Sequence, residues 1–174
     1  MTTAPQRKAI APVPVLDEET AAFLGRGLGM VISSRDANRC PNVCRAFGCR
    51  VSKDRRQVTF FVSARQALGL LADYRANGAL AATCSDPPTT RTLQLKGTVT
   101  KIAAATKGDA ALVERYREEF VKCLVLLGYP EQTIRALVAA ADSDLVAVTF
   151  RPTSVFAQTP GPGAGAPLKP GEKI

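Results

Sequence analysis

Three arginines carry the sharpest chemical hint in the sequence. Arg45, Arg50 and Arg65 fall on adjacent strand-like segments, and a phosphomonoester needs two or three converging cationic donors, preferably guanidinium forks. They belong to a wider surplus. Between Arg26 and Arg56 stand Arg26, Arg35, Arg39, Arg45, Arg50, Lys53, Arg55 and Arg56, against only Asp36 and Asp54, so the formal charge of +8 is concentrated in the first third of the chain. Such a surplus fits a solvated face, a nucleic-acid footprint or one phosphorylated ligand. With three tyrosines, no tryptophan and no RNA-type aromatic motif, base stacking has little to work with. The phosphorylated ligand is the reading carried forward, with no nucleic acid expected.

The cysteines suggest another chemistry and then withdraw it. Cys40, Cys44 and Cys49 are spaced unlike any zinc knuckle, and the chain contains no histidine to complete a ligand set. Buried thiols are expected, with no metal. The missing histidine also removes Ser-His-Asp and Cys-His machinery and a proximal-His haem. Any reaction run by this chain is therefore expected to belong to a cofactor, and no catalytic side chain is assigned. Gly25-Arg-Gly-Leu-Gly29 superficially resembles a phosphate loop, but it precedes a strand instead of opening a helix, so it reads as a turn.

The elements that must position these residues follow from periodicity. With 174 residues, 46% of them hydrophobic, and a mean hydropathy near zero, the chain is long enough for one domain with a real core. No apolar stretch is long enough to span a bilayer, and no signal-like segment follows Met1, so a cytoplasmic protein without a membrane is expected. Five cysteines, an odd number, agree with reduced thiols. Residues 1–15, with Pro5, Pro12 and Pro14, read as a flexible arm, and residues 16–157 as the domain. The segment 158–174 reads as a Pro/Gly-rich tail too irregular for regular structure.

Inside the domain, Asp17-Glu18-Glu19 opens a short helix through Leu24, and Met30–Ser34 makes a first strand. Asn42–Val51 reads as one continuous second strand, with Val43, Arg45, Phe47, Cys49 and Val51 on one face and the small Cys44, Ala46 and Gly48 on the other. Gln57–Val62 is a third strand, followed by a helix from Gln66 that Asn77-Gly78 ends. Ala79–Cys84, Thr89 to about Ala103, and Asp144–Phe150 complete six strands. A helical pair, 107–127 and 131–141, is inserted before the last of them. Six strands in mostly hairpin order favour a mainly β, α+β architecture, an antiparallel β-barrel with short peripheral helices, over a doubly wound parallel sheet.

In this order the fragments Pro41-Asn-Val-Cys-Arg45, Val58-Thr-Phe-Phe-Val-Ser63 with Arg65, Leu80-Ala-Ala-Thr83 and Arg91-Thr-Leu-Gln-Leu-Lys-Gly97 resemble the pyridoxamine 5'-phosphate oxidase-like FMN-binding split-barrel superfamily. The likeness covers roughly residues 20 to 102 and the closing strand. It implies FMN as cofactor, F420 being the less favoured substitute, and a homodimer with the flavin at the subunit interface. It places the cofactor on Arg45, on Val62, Ser63 and Arg65 after the third strand, and on Gln94, with Arg50 and Arg91 as neighbouring candidates. The function it implies is a flavin-dependent oxidoreductase acting on a small molecule. The alternative is a non-catalytic binder of flavin, haem or F420. The likeness stops short of the oxidase's own Ser-Arg-Lys run, replaced by Ser63-Ala-Arg65-Gln66, and of its Arg-x-His, which has no counterpart here.

Overall fold

Period-two alternation in the first strand, with Met30 and Ile32 buried and Val31 outward, sets the pattern from which the barrel is built. The computed structural model describes residues 16–172; the arm expected over residues 1–15 lies outside them. The elements are α1 (Glu18–Leu24), β1 (Gly29–Arg35), β2 (Pro41–Arg45), β3 (Cys49–Val51), β4 (Val58–Ser63), α2 (Leu68–Asn77), β5 (Ala79–Ser85), β6 (Thr92–Ala104), α3 (Lys107–Leu126), α4 (Glu131–Leu137), β7 (Leu145–Ala157) and β8 (Pro167–Leu168). All strand pairs are antiparallel, in the order β2-β1-β5-β6-β7-β4-β3, with β8 added to β7.

The sheet is not closed by strand pairing, yet its two ends, β2 and β3, are halves of one chain segment. Ala46 N–H donates to the Met30 carbonyl at 3.0 Å, and Phe47 N–H donates to the Phe61 carbonyl at 2.7 Å. Within two residues the segment leaves β1 and joins β4. This corrects the expectation of one continuous strand over 42–51, and with it the count of six. Gly48, at φ +93°, supplies a backbone conformation that a side chain disfavours, and it shifts the alternation by one residue. Cys44 and Ala46 point into the core before the bend, and Cys49 does so after it. A uniform alternation across the segment therefore assigns half of it to the wrong face.

The core lies inside this curved sheet. Met30, Ile32, Cys84, Leu93, Leu95, Phe60, Val148 and Phe150 are all essentially inaccessible, and the Phe60 and Phe150 rings stack at 5.8 Å. Each such side chain contributes roughly 1.5–3 kcal/mol by leaving water.

Helices close the ends. In α1 the Asp17 carboxylate accepts from Thr20 N–H at 2.7 Å, and α3 opens with a capping box of Thr106 and Asp109. Gly78, left-handed at φ 69°, ends α2 by donating to the Tyr74 carbonyl. Between β6 and β7 the chain makes α3 and α4. Tyr116 of α3 donates its hydroxyl to the Leu28 carbonyl at 2.7 Å and packs on Gly48, where a Cβ would come within 2.9 Å of its ring.

The last strand runs longer than expected, and the tail packs against it. β7 runs on to Ala157, well past Phe150, because its second half gains β8 as a partner beside β6. Gln158 N–H donates to the Thr92 carbonyl at 2.8 Å, Thr92 N–H donates to Thr159 Oγ1 at 3.0 Å, and Gly171 N–H donates to Asp17 at 2.9 Å. Pro/Gly richness over 158–172 thus makes a succession of turns anchored by backbone bonds. Among the described residues no helix is long and apolar enough to cross a membrane.

Candidate functional site

Strand register, which no single segment reveals, assembles the first part of the site. Arg45 stands opposite Val31, Val31 opposite Thr83, Thr83 opposite Gln94, and Gln94 opposite Phe156. Directly opposed residues share a face, and their neighbours Ile32, Cys44, Ala82, Leu93, Leu95 and Val155 fill the core, so this row crosses the outside of the barrel. Arg45 and Gln94 are three strand spacings apart, about 14 Å. Thr83 and Gln94 are half-buried, and neither side chain has a hydrogen-bond partner among the described residues. Val31 is 37% exposed and, on the next row, Val43 is 64% exposed. Lys96, also on that row, holds its ammonium 4.7 Å from the Phe156 ring centroid. Beside it runs a groove of about 490 Å³ lined by Ser33, Arg35, Ala81, Lys96 and Thr98.

Arg45 anchors one end. Its guanidinium lies 5.7 Å from the Phe120 ring centroid and beside Tyr116, and it makes no ion pair among the described residues. Burial raises the Tyr116 phenol, so Tyr116 stays neutral and offers Arg45 no charge to neutralise it. The row is therefore a half-apolar surface with one uncompensated cation at its edge and two unengaged polar side chains near its middle. That inventory suits a flat ligand with a polar rim and an anionic arm.

A second cluster forms at the end of β4. Phe47 and Phe61 are bonded partners where the strands part, so Arg45 and Ser63, two residues further on, stand on the two lips of the split. Ser63 is buried and donates its hydroxyl to the carboxylate of Asp144, while Gln66 N–H donates to Ser63 Oγ at 3.2 Å. Arg65 N–H donates to Asp144 Oδ1 at 3.2 Å, and its Nε lies 3.5 Å from the same oxygen. Ala64 N–H donates to the Asp144 carbonyl at 2.8 Å. Asp144 is embedded, its side chain only 12% exposed, whereas the Arg65 side chain is 81% exposed and reaches in from solvent. The Ser63 hydrogen bond, aided by Arg65 and opposed by desolvation, holds the Asp144 carboxyl below its usual range. This is an anion cradle, and it already holds an anion.

The seven residues expected at a cofactor site thus separate. Arg45 and Gln94 share the outer row. Ser63 and Arg65 share Asp144, and the Val62 side chain is wholly in the core behind them. Arg50 is ion-paired with Asp109 at the start of α3, its guanidinium 5.8 Å from the Phe61 ring. Arg91 donates to Glu19 at 2.6 Å and lies 5.0 Å over Phe23, tying α1 to the barrel. Sequence reasoning gave no role to Thr83, Phe156 or Asp144. Thr83 belongs to the segment Leu80-Ala-Ala-Thr83, where nothing local sets it apart from its neighbours. The partnership of Asp144 with Ser63 spans 81 residues, and no local signal reports it.

No family model matches the sequence, and no curated relative does. Solved structures do resemble it. An F420 reductase is 20% identical over 80% of this chain and 98% of its own, with a TM-score of 0.53. HupZ of Group A Streptococcus is 15% identical over 86% and 99%, with a TM-score of 0.52. A candidate pyridoxamine 5'-phosphate oxidase from Lactobacillus delbrueckii is 14% identical over 82% and 93%, with a TM-score of 0.50. Strand order, the bend that joins β2 to β3 and these likenesses agree: the chain has the split-barrel fold of the pyridoxamine 5'-phosphate oxidase-like proteins.

Proposed function

We propose that this protein is an FMN-binding flavoprotein and a flavin-dependent oxidoreductase of a small molecule, working as a homodimer with flavin between subunits. The single observation that carries the reading is the outer row, where, among the described residues, Thr83 and Gln94 have no side-chain partner at the centre of a half-apolar face and Arg45 has no counter-ion at its end. A half-buried amide and hydroxyl that no protein group engages leave their donors and acceptors available to a ligand.

Bound flavin would carry the hydride or electrons. The residues of this chain bind and orient. Gln94 offers two N–H donors and one acceptor to a polar ring edge, and Thr83 adds a hydroxyl next to it. Val31 and Phe156 flank them with apolar surface. Arg45, braced against Phe120, meets the anionic arm. The fit at the ring is good. At the other lip it is not, because the donors of Ser63 and Arg65 are engaged by Asp144. The exposed Val31 and Val43 on the same face supply apolar surface for a second subunit.

A second reading places F420 on the same row. It is supported by the likeness to an F420 reductase and by the weak phosphate clamp. Purified protein titrated with FMN and with F420 separates the two. Saturation at one FMN per subunit with no competition from F420 supports the lead, and the reverse preference replaces it.

A further inference from the structure

We infer that Asp144 is a resident anion occupying the Ser63–Arg65 cradle, and that it excludes a ligand's phosphate from those donors. The inference rests on the flavin reading for its ligand, but on this chain's own geometry for its substance. Three donors converge on one carboxylate: the Ser63 hydroxyl, Arg65 N–H at 3.2 Å and Arg65 Nε at 3.5 Å. The same set, a hydroxyl, a backbone N–H and a guanidinium, is what a phosphate requires. Here it is filled from within.

Asp144 is also well placed to stay. Its own carbonyl accepts from Ala64 N–H at 2.8 Å, and Leu145, the next residue, is already opposite Ser63 in the β4–β7 ladder. The carboxylate is thus delivered intramolecularly, with little ordering left to lose, whereas a phosphate must arrive from solution and meet a negative charge in the cradle. Ser63 and Arg65 therefore pin the entry of β7 to the exit of β4. A phosphorylated flavin is left with Arg45 on the opposite lip, and the chain discriminates phosphorylated from unphosphorylated flavin only through that contact.

The test uses the full-length protein with Asp144→Asn and Arg65→Gln, titrated with FMN and riboflavin by flavin fluorescence. Asp144→Asn should tighten FMN at least tenfold while riboflavin moves less than twofold, and adding Arg65→Gln should remove that gain. Arg65→Gln alone, at a side chain 81% exposed whose backbone N–H contact to Asp144 is retained, should leave the FMN-to-riboflavin ratio within twofold of wild type. A tenfold loss of FMN in Arg65→Gln, or no change in the ratio in Asp144→Asn, overturns the inference. If neither flavin binds any variant, the flavin reading fails by itself, and inorganic phosphate decides this one. Millimolar phosphate should raise the melting temperature of Asp144→Asn and not of wild type, and equal shifts would refute it.

Discussion

Replacing Gly97 with alanine tests the crossing on which the outer row depends. Gly97 lies on β6 opposite Leu80 of β5 and Pro152 of β7, at an irregularity in the β6–β7 register. A Cβ there would stand 2.1 Å from the Arg151 carbonyl oxygen and 2.8 Å from both the Arg151 carbonyl carbon and Pro152 Cα. Every one of those atoms is backbone, so no rotamer relieves the contact. The strands must part by about 1 Å to reach even a tight separation, and overpacking of this kind costs about 1–3 kcal/mol. With no flexible atom to yield, the upper end applies. In a chain of this size each kcal/mol lowers the melting temperature by about 2–4 °C, giving a loss of about 6–12 °C. Thermal unfolding followed by circular dichroism measures it. Gly163→Ala is the control, because a Cβ there meets nothing within 4 Å, and it should melt within about 2 °C of wild type. If Gly97→Ala also melts within about 2 °C of wild type, the close β6–β7 crossing described here is wrong.

Other perturbations separate binding from folding. Gln94→Ala and Thr83→Ala should each weaken FMN by about 0.5–1.5 kcal/mol while leaving the melting temperature unchanged, since neither side chain has a partner among the described residues; a matched loss of stability would contradict their assignment. Asp109→Asn removes one half of the α3 capping box and the carboxylate facing Arg50, and should lower the urea midpoint by an amount equivalent to about 1–2 kcal/mol. Burial pushes the Asp109 carboxyl up, but hydrogen bonds from Thr106 and the Arg50 charge outweigh it, so its folded pKa lies below the ordinary value. Its stabilisation is therefore present above about pH 4 and lost as the pH falls through the lower folded value. Wild type should lose stability over that acid range more steeply than Asp109→Asn, and parallel curves would refute the linkage. Arg91→Ala should cost about 1 kcal/mol by loosening α1 from the barrel, read as faster proteolysis near Leu24.

Local pattern located most of the strands and helices because each carries its own periodicity or cap: Met30–Ser34 alternates, Asp17 caps α1, and Gly78 ends α2. It failed where a single residue resets the phase. Gly48 looks like one more small residue in a strand, and only its pairing on both sides shows that the segment turns from one edge of the sheet to the other. In the tail, glycine and proline argue against regular structure and turns prevail; only Pro167 and Leu168 pair, on the edge that β7 offers, a contact that composition does not report. The site was partly legible. Charge and family resemblance singled out Arg45 and Gln94, and register alone placed them in one row. The Asp144 contact was not legible, since it joins chain segments 81 residues apart. Arg50 and Arg91 stood out by charge, but charge does not announce a carboxylate waiting on a helix, and Asp109 and Glu19 engage them in turn.

The flavin claim is tested most directly by the visible spectrum of the purified protein together with an FMN titration of wild type and Arg45→Ala. Flavin absorption with saturation at one FMN per subunit is expected, and Arg45→Ala should bind about tenfold or more weakly, the size of one charge-assisted contact of roughly 1.5–3 kcal/mol. A colourless protein that takes up no added FMN, or one whose affinity ignores Arg45, would contradict the account.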